Sequence, residues 1–275
     1  MSKDFGDESK LTWLRFEIPE SSWNATVFEQ VCRCFEELTG GETITWEVVT
    51  TGKILLETHY KKIKDRQKFF EKMVKKSGMK LQNSDTDHPL IFLPAMGWIG
   101  KDGQYLPRHG VMIMFKEPDD RVLKYLEAVA EILQATYCYY TPKAAFYILE
   151  RALCRYFHER GTGDIALAQQ LLAEAEGKLP HAPGACRPSD WPVMRPSRLG
   201  WLNYWSEETC DLFGFPAQGD LQQLAVAKRC GSGAWLIQLT ETPLDLTLPE
   251  HRKKVIWGYQ RFQFDMGIKT MELSF

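Results

Sequence analysis

The chain is poor in the residues from which most catalytic and metal centres are built. Its six histidines form no H-x-x-x-H or H-x-H pattern, so no zinc-type ligand set is expected. Seven cysteines stand at positions 32, 34, 138, 154, 186, 210 and 230. Their number is odd, their spacing is irregular and no C-x-x-C pair occurs, which argues against a disulfide framework or a zinc ribbon. Cys32 and Cys34, two apart on one helix, point to different faces. Reduced, buried thiols are their expected state. Long apolar runs are missing too: none nears the roughly 18–20 residues of a membrane-crossing helix. The opening residues MSKDFGDESK hold no apolar stretch and no small-residue cleavage site, so no secretory signal is expected and the cytoplasm is the expected compartment. Nor does charge of one sign prevail. With 34 Lys and Arg against 36 Asp and Glu the net charge is −2, too small a field to draw the protein to nucleic acid or an anionic membrane.

What remains is ordinary globular material, 44% hydrophobic and 25% charged, enough for a sizeable core. Leu11 to Ile18 alternates apolar and polar residues and predicts a strand. Asn24 predicts the N-cap of a helix running to Leu38 and ended by Gly40-Gly41, with Val27, Phe28, Val31, Phe35 and Leu38 as its apolar stripe. Thr43 to Thr50 and Lys53 to Thr58 predict paired strands around Thr51-Gly52. A helix over Lys62 to Lys76 follows, with Ile63, Phe69, Phe70 and Met73 inward. Leu90 to Leu93 and Val111 to Phe115 predict two more strands. Asp119-Asp120 opens a helix to Gln134, and Thr136 to Tyr140 predicts a strand. Thr141 is the expected cap of a helix to Phe157 with Pro142 at its first position. Another helix is expected within Gly161 to Gly177.

Five of the fourteen prolines fall in 178–198, which cannot be regular helix or central strand. An α/β pattern then resumes. Leu199 to Tyr204 predicts a strand, with Trp201 and Trp205 alternating with Leu202 and Tyr204 so that one side is core. Ser206 caps a short helix carrying Glu207 and Glu208 in its first turn. Leu224 to Ala227 and Ala234 to Leu239 predict an antiparallel pair. Pro249 starts a helix with Val255, Ile256 and Tyr259 on one face, and Met271 to Phe275 predicts a last strand. Without a βαβ rhythm the fold class is α+β, a mixed, largely antiparallel sheet packed with helices. The expectation is a single domain over 1–275 with the Pro-rich 178–198 connecting two sub-portions.

Few residues stand in a pattern that chemistry requires. The basic run Lys61 to Lys76 can be read as a phosphate-binding face with Phe69 and Phe70 stacking on bases, but its apolar spacing fits an amphipathic helix with a solvated lysine face. His158-Glu159 and Glu250-His251 are neighbours in sequence that point apart on a helix. Asp245 and His251 can meet across a turn, most simply as a cap. His181 and Cys186 lie in a Pro/Gly stretch, not on the rigid platform a catalytic cysteine needs. Gly161-Thr162-Gly163 and Gly231-Ser232-Gly233 lack the spacing of phosphate loops. No cofactor or catalytic residue is expected from these residues. A small cytosolic enzyme with an unrecognised Cys/His/carboxylate site stays as the alternative.

The C-terminal quarter carries a different kind of signal. GWLNYWSEET (Gly200 to Thr209), LFGFP (Leu212 to Pro216), PLDL-x-x-PEH (Pro243 to His251) and GYQRF (Gly258 to Phe262) together resemble the immunity protein 52 family of bacterial polymorphic toxin and type VI secretion systems. The resemblance covers Pro192 to Phe262. It implies a cytoplasmic protein that neutralises a cognate toxin carrying a restriction-endonuclease-like nuclease domain, and no enzyme. A nuclease exposes basic surface, so acidic patches are the natural candidates for its docking. They are Asp85 and Asp87, then Glu117, Asp119 and Asp120, then Glu207, Glu208 and Asp211.

Overall fold

The computed structural model describes residues 11–38, 45–50, 53–59, 66–74, 80–82, 90–95, 109–116, 121–155, 157, 163–180, 196 and 198–262. The chain divides into two compact units, Met1–Trp98 with Pro107–Cys138, and Ile99–Leu106 with Tyr139–Phe275. The fold is α+β.

The first unit holds an antiparallel sheet of six strands: β1 (Leu11–Ile18), β2 (Thr45–Thr50), β3 (Lys53–His59), β4 (Lys80–Gln82), β5 (Leu90–Ala95) and β6 (His109–Lys116). Their order is β3-β2-β4-β5-β6-β1, and every pairing in it is antiparallel. The period-2 pattern of β1 is realised in its middle: Leu14, Phe16 and Ile18 are buried and Trp13 and Arg15 half-buried, while Leu11 and Glu17 on the second face are buried as well. Trp13 lies there with Met112 against Leu11 and Met114.

Helix α1 (Ala25–Leu38) begins where its cap is. The Asn24 side chain accepts from the N–H of Val27 at 3.0 Å, satisfying a donor that the first turn leaves open. Phe28, Val31 and Phe35 of the expected stripe are fully buried, joined by Cys32. Helix α2 is described over Arg66–Val74, within the expected Lys62 to Lys76. Phe70 is buried in it and Phe69 half-buried, packed edge to face at 5.1 Å. Helix α3 (Val122–Leu133) ends at Gln134 in a left-handed conformation, φ 48°. Tyr125 on its inner face meets Phe35 of α1 at 5.5 Å.

Strand β7 (Tyr137–Tyr140) carries the boundary between the units. In the second unit follow α4 (Lys143–Cys154), α5 (Ile165–Glu174), β8 (Leu202–Trp205), α6 (Glu207–Phe213), α7 (Asp220–Gln223), β9 (Val226–Arg229), β10 (Trp235–Gln238) and α8 (Pro249–Arg261). β10 pairs antiparallel with both β8 and β9.

Several details differ from expectation. Pro142 is itself the N-cap of α4, in an extended conformation, where Thr141 was the expected cap. Its fixed φ suits the flanking position as well as the first turn. α4 ends at Cys154, with Arg155 left-handed at φ 54°. Strand β8 starts three residues late because Asn203 bonds back to the N–H and the carbonyl of Gly200, at 2.8 and 3.0 Å. It is buried on both faces, not one. β4 and α7 went unforeseen: they are too short for a period to show. Gly40-Gly41, Ile63, the loop at Asp85 and Asp87, Glu117, Asp119, Asp120, His158-Glu159-Arg160, 181–195 with His181 and Cys186, and Met271 to Phe275 lie outside the described residues.

Asn24→Ala is expected to lower stability by about 1 kcal/mol, read as a fall in the urea midpoint at unchanged slope.

Candidate functional site

The four motifs of the C-terminal quarter converge in the second unit, and each is explained by the bonds it makes. Gly200 stands where a Cβ would lie 2.5 Å from the Tyr140 carbonyl oxygen, so only glycine lets the backbones approach this closely. Trp201 donates its indole N–H to the Thr240 carbonyl at 2.9 Å. Its ring meets Tyr140 edge-on at 5.9 Å. Trp205 is fully buried. Around it stand Phe262 at 4.8 Å, Phe213 at 4.9 Å and Phe215 at 5.5 Å. Gly214 turns the chain between the two phenylalanines with φ 56°, a left-handed conformation that glycine adopts at little cost.

GYQRF ties this cluster to α7. Arg261 forks onto both carboxylate oxygens of the buried Asp220 at 2.8 Å and donates to the carbonyls of Phe213 and Gly214 at 3.0 and 2.9 Å. The Tyr259 hydroxyl accepts from the Leu199 N–H at 3.2 Å, and burial pushes its pKa up to about 12.

PLDL-x-x-PEH forms the corner leading into α8. Leu244 and Leu246 are buried. The Asp245 carboxylate accepts from the backbone N–H and the hydroxyl of Thr247, at 2.9 and 2.8 Å. Those bonds hold its pKa below the usual carboxylate value. His251 does meet Asp245, but through the backbone: its Nδ1 accepts the Asp245 N–H at 2.9 Å. An imidazole so used keeps its proton on Nε2. Next to it Arg252, buried, donates to the carbonyls of Leu246 and Thr247 and forks onto Glu174 of α5 at 2.8–3.0 Å. This pairing lowers the Glu174 pKa, chiefly through the Arg252 hydrogen bonds.

A second polar group gathers Arg198, Glu150 and Cys154. Arg198 pairs with Glu150 and lies over the Phe146 ring at 5.7 Å. The Cys154 thiol donates to Glu150 at 3.5 Å. Burial, with nearby carboxylates adding to it, pushes Cys34 up to about 11 and Cys210 up to about 12 and raises Cys32, and burial raises Cys138 as well. Such thiols carry no thiolate at neutral pH and are unreactive. Both Cys32 and Cys34 are buried despite their spacing. Among the described residues no cluster of His, Cys, Asp and Glu is placed to hold a metal, and no helix is long and apolar enough to cross a membrane.

Of the acidic candidates, Glu207, Glu208 and Asp211 are exposed on α6. Ser206 caps that helix, accepting from the Thr209 N–H at 3.2 Å. Glu207 also lies 3.7 Å from Arg229, an exposed pair of small energetic weight. Asp85, Asp87, Glu117, Asp119 and Asp120 lie outside the described residues. In α2 the buried Phe70 is turned away from any base it might stack on, while Lys68 and Lys72 are exposed. That is the amphipathic-helix arrangement.

A family model described as "Domain of unknown function (DUF5953)" matches residues 29–269. The chain belongs to the DUF5953 family. The match spans both units and includes all four motifs. Among solved structures, the Pseudomonas aeruginosa T6SS protein PA0821 is similar, with 15% identity and a TM-score of 0.46 over 89% of this chain and 76% of that one. No curated protein matches.

Two outcomes follow from the corner and its guanidinium. Arg252→Lys keeps the charge and loses the fork, and is expected to cost about 2 kcal/mol by chemical denaturation. Asp245 has a folded pKa below its unfolded value, so its contribution is present above the unfolded pKa and is lost as pH falls through the folded one. The urea midpoint is therefore expected to fall with acidification below the ordinary Asp range more steeply in the natural protein than in Asp245→Asn.

Proposed function

We propose that this protein is an immunity protein, which binds a cognate nuclease effector of a type VI secretion system in the cytoplasm and protects the producing cell. The observation that carries the reading is the conjunction of WLNYWS with PLDL-x-x-PEH and GYQRF in one chain. Bonding explains why these residues stay together: Asn203, Trp201, His251, Arg252, Tyr259 and Arg261 all close on backbone atoms of the second unit. They are scaffold, as an inhibitor needs a rigid body more than it needs a reactive group.

On this reading the effector meets side chains that the scaffold leaves outward. Glu208 and Asp211, three apart on α6 and exposed, face the same way. They suit a basic surface by charge complementarity, which acts on association rate and partner choice.

The test is co-expression with the toxin encoded beside this gene, scored by survival and by pull-down of the pair. Protection and a stable complex are the expected result. Glu208→Lys with Asp211→Lys is expected to weaken the complex by about tenfold or more, mainly in the association rate. Cells killed equally with and without this protein would overturn the reading.

A further inference from the structure

We draw no further inference here: the strongest candidate, the side-chain cluster of Glu150, Cys154 and Arg198 at the C-terminal end of α4, rests on a lone cysteine whose thiol donates to Glu150, and nothing among the described residues shows a ligand for it.

Discussion

Burial of Trp205 organises the second unit. Its ring has no exposed surface, and removing a ring so placed costs about 3–5 kcal/mol in proteins generally. Three rings from two segments must reach it: Phe213 and Phe215 from the end of α6, and Phe262 from the end of α8. The chain turns sharply at Gly214 to bring the first two in. That turn leaves carbonyls pointing away from any helix or sheet, and Arg261 collects two of them. An apolar demand thus creates a polar one one residue away from Phe262.

The same solution recurs at the other end of α8. Leu244 and Leu246 are pulled into the core, the backbone between them bends, and Arg252 takes the carbonyls of Leu246 and Thr247 while His251 takes the N–H of Asp245. Each arginine is neutralised by one carboxylate, Glu174 or Asp220. A guanidinium suits this task because its planar fork serves a carboxylate and backbone carbonyls at once. α8 is therefore clamped at both ends to irregular backbone, whose carbonyls it pairs.

Sequence reading went furthest where one residue decides a local question. Asn24, Ser206 and Pro249 each start the helix assigned to them, because a cap acts within one turn. The β1 alternation and the β2–β3 hairpin were legible for the same reason. The both-sided burial of β8 was not, because a strand covered on two faces shows no alternation. Strand β9 was misplaced by two residues for the opposite reason: exposed on both faces, it carries no apolar phase. At the candidate site, the carboxylates of α6 could be read from composition near a cap. The roles of Arg252 and Arg261 could not, since their carboxylates stand 78 and 41 residues away and guanidinium partners leave no periodic trace.

Helices α3 and α4 end on the same strained backbone, Gln134 at φ 48° and Arg155 at φ 54°, which costs an L-residue roughly 1 kcal/mol or more. The two residues meet that cost differently. Arg155 reaches back to the carbonyl of Ala152 and across to that of Leu179, at 3.0 Å for the latter, so its side chain fastens the stretch after α5 to the end of α4. Gln134 is exposed, and only its backbone N–H closes the helix. Position 155 is thus a rivet, where a glycine would relax the backbone and release a neighbouring segment. Position 134 is a plain stopper, and its identity is left to whatever the solvent tolerates.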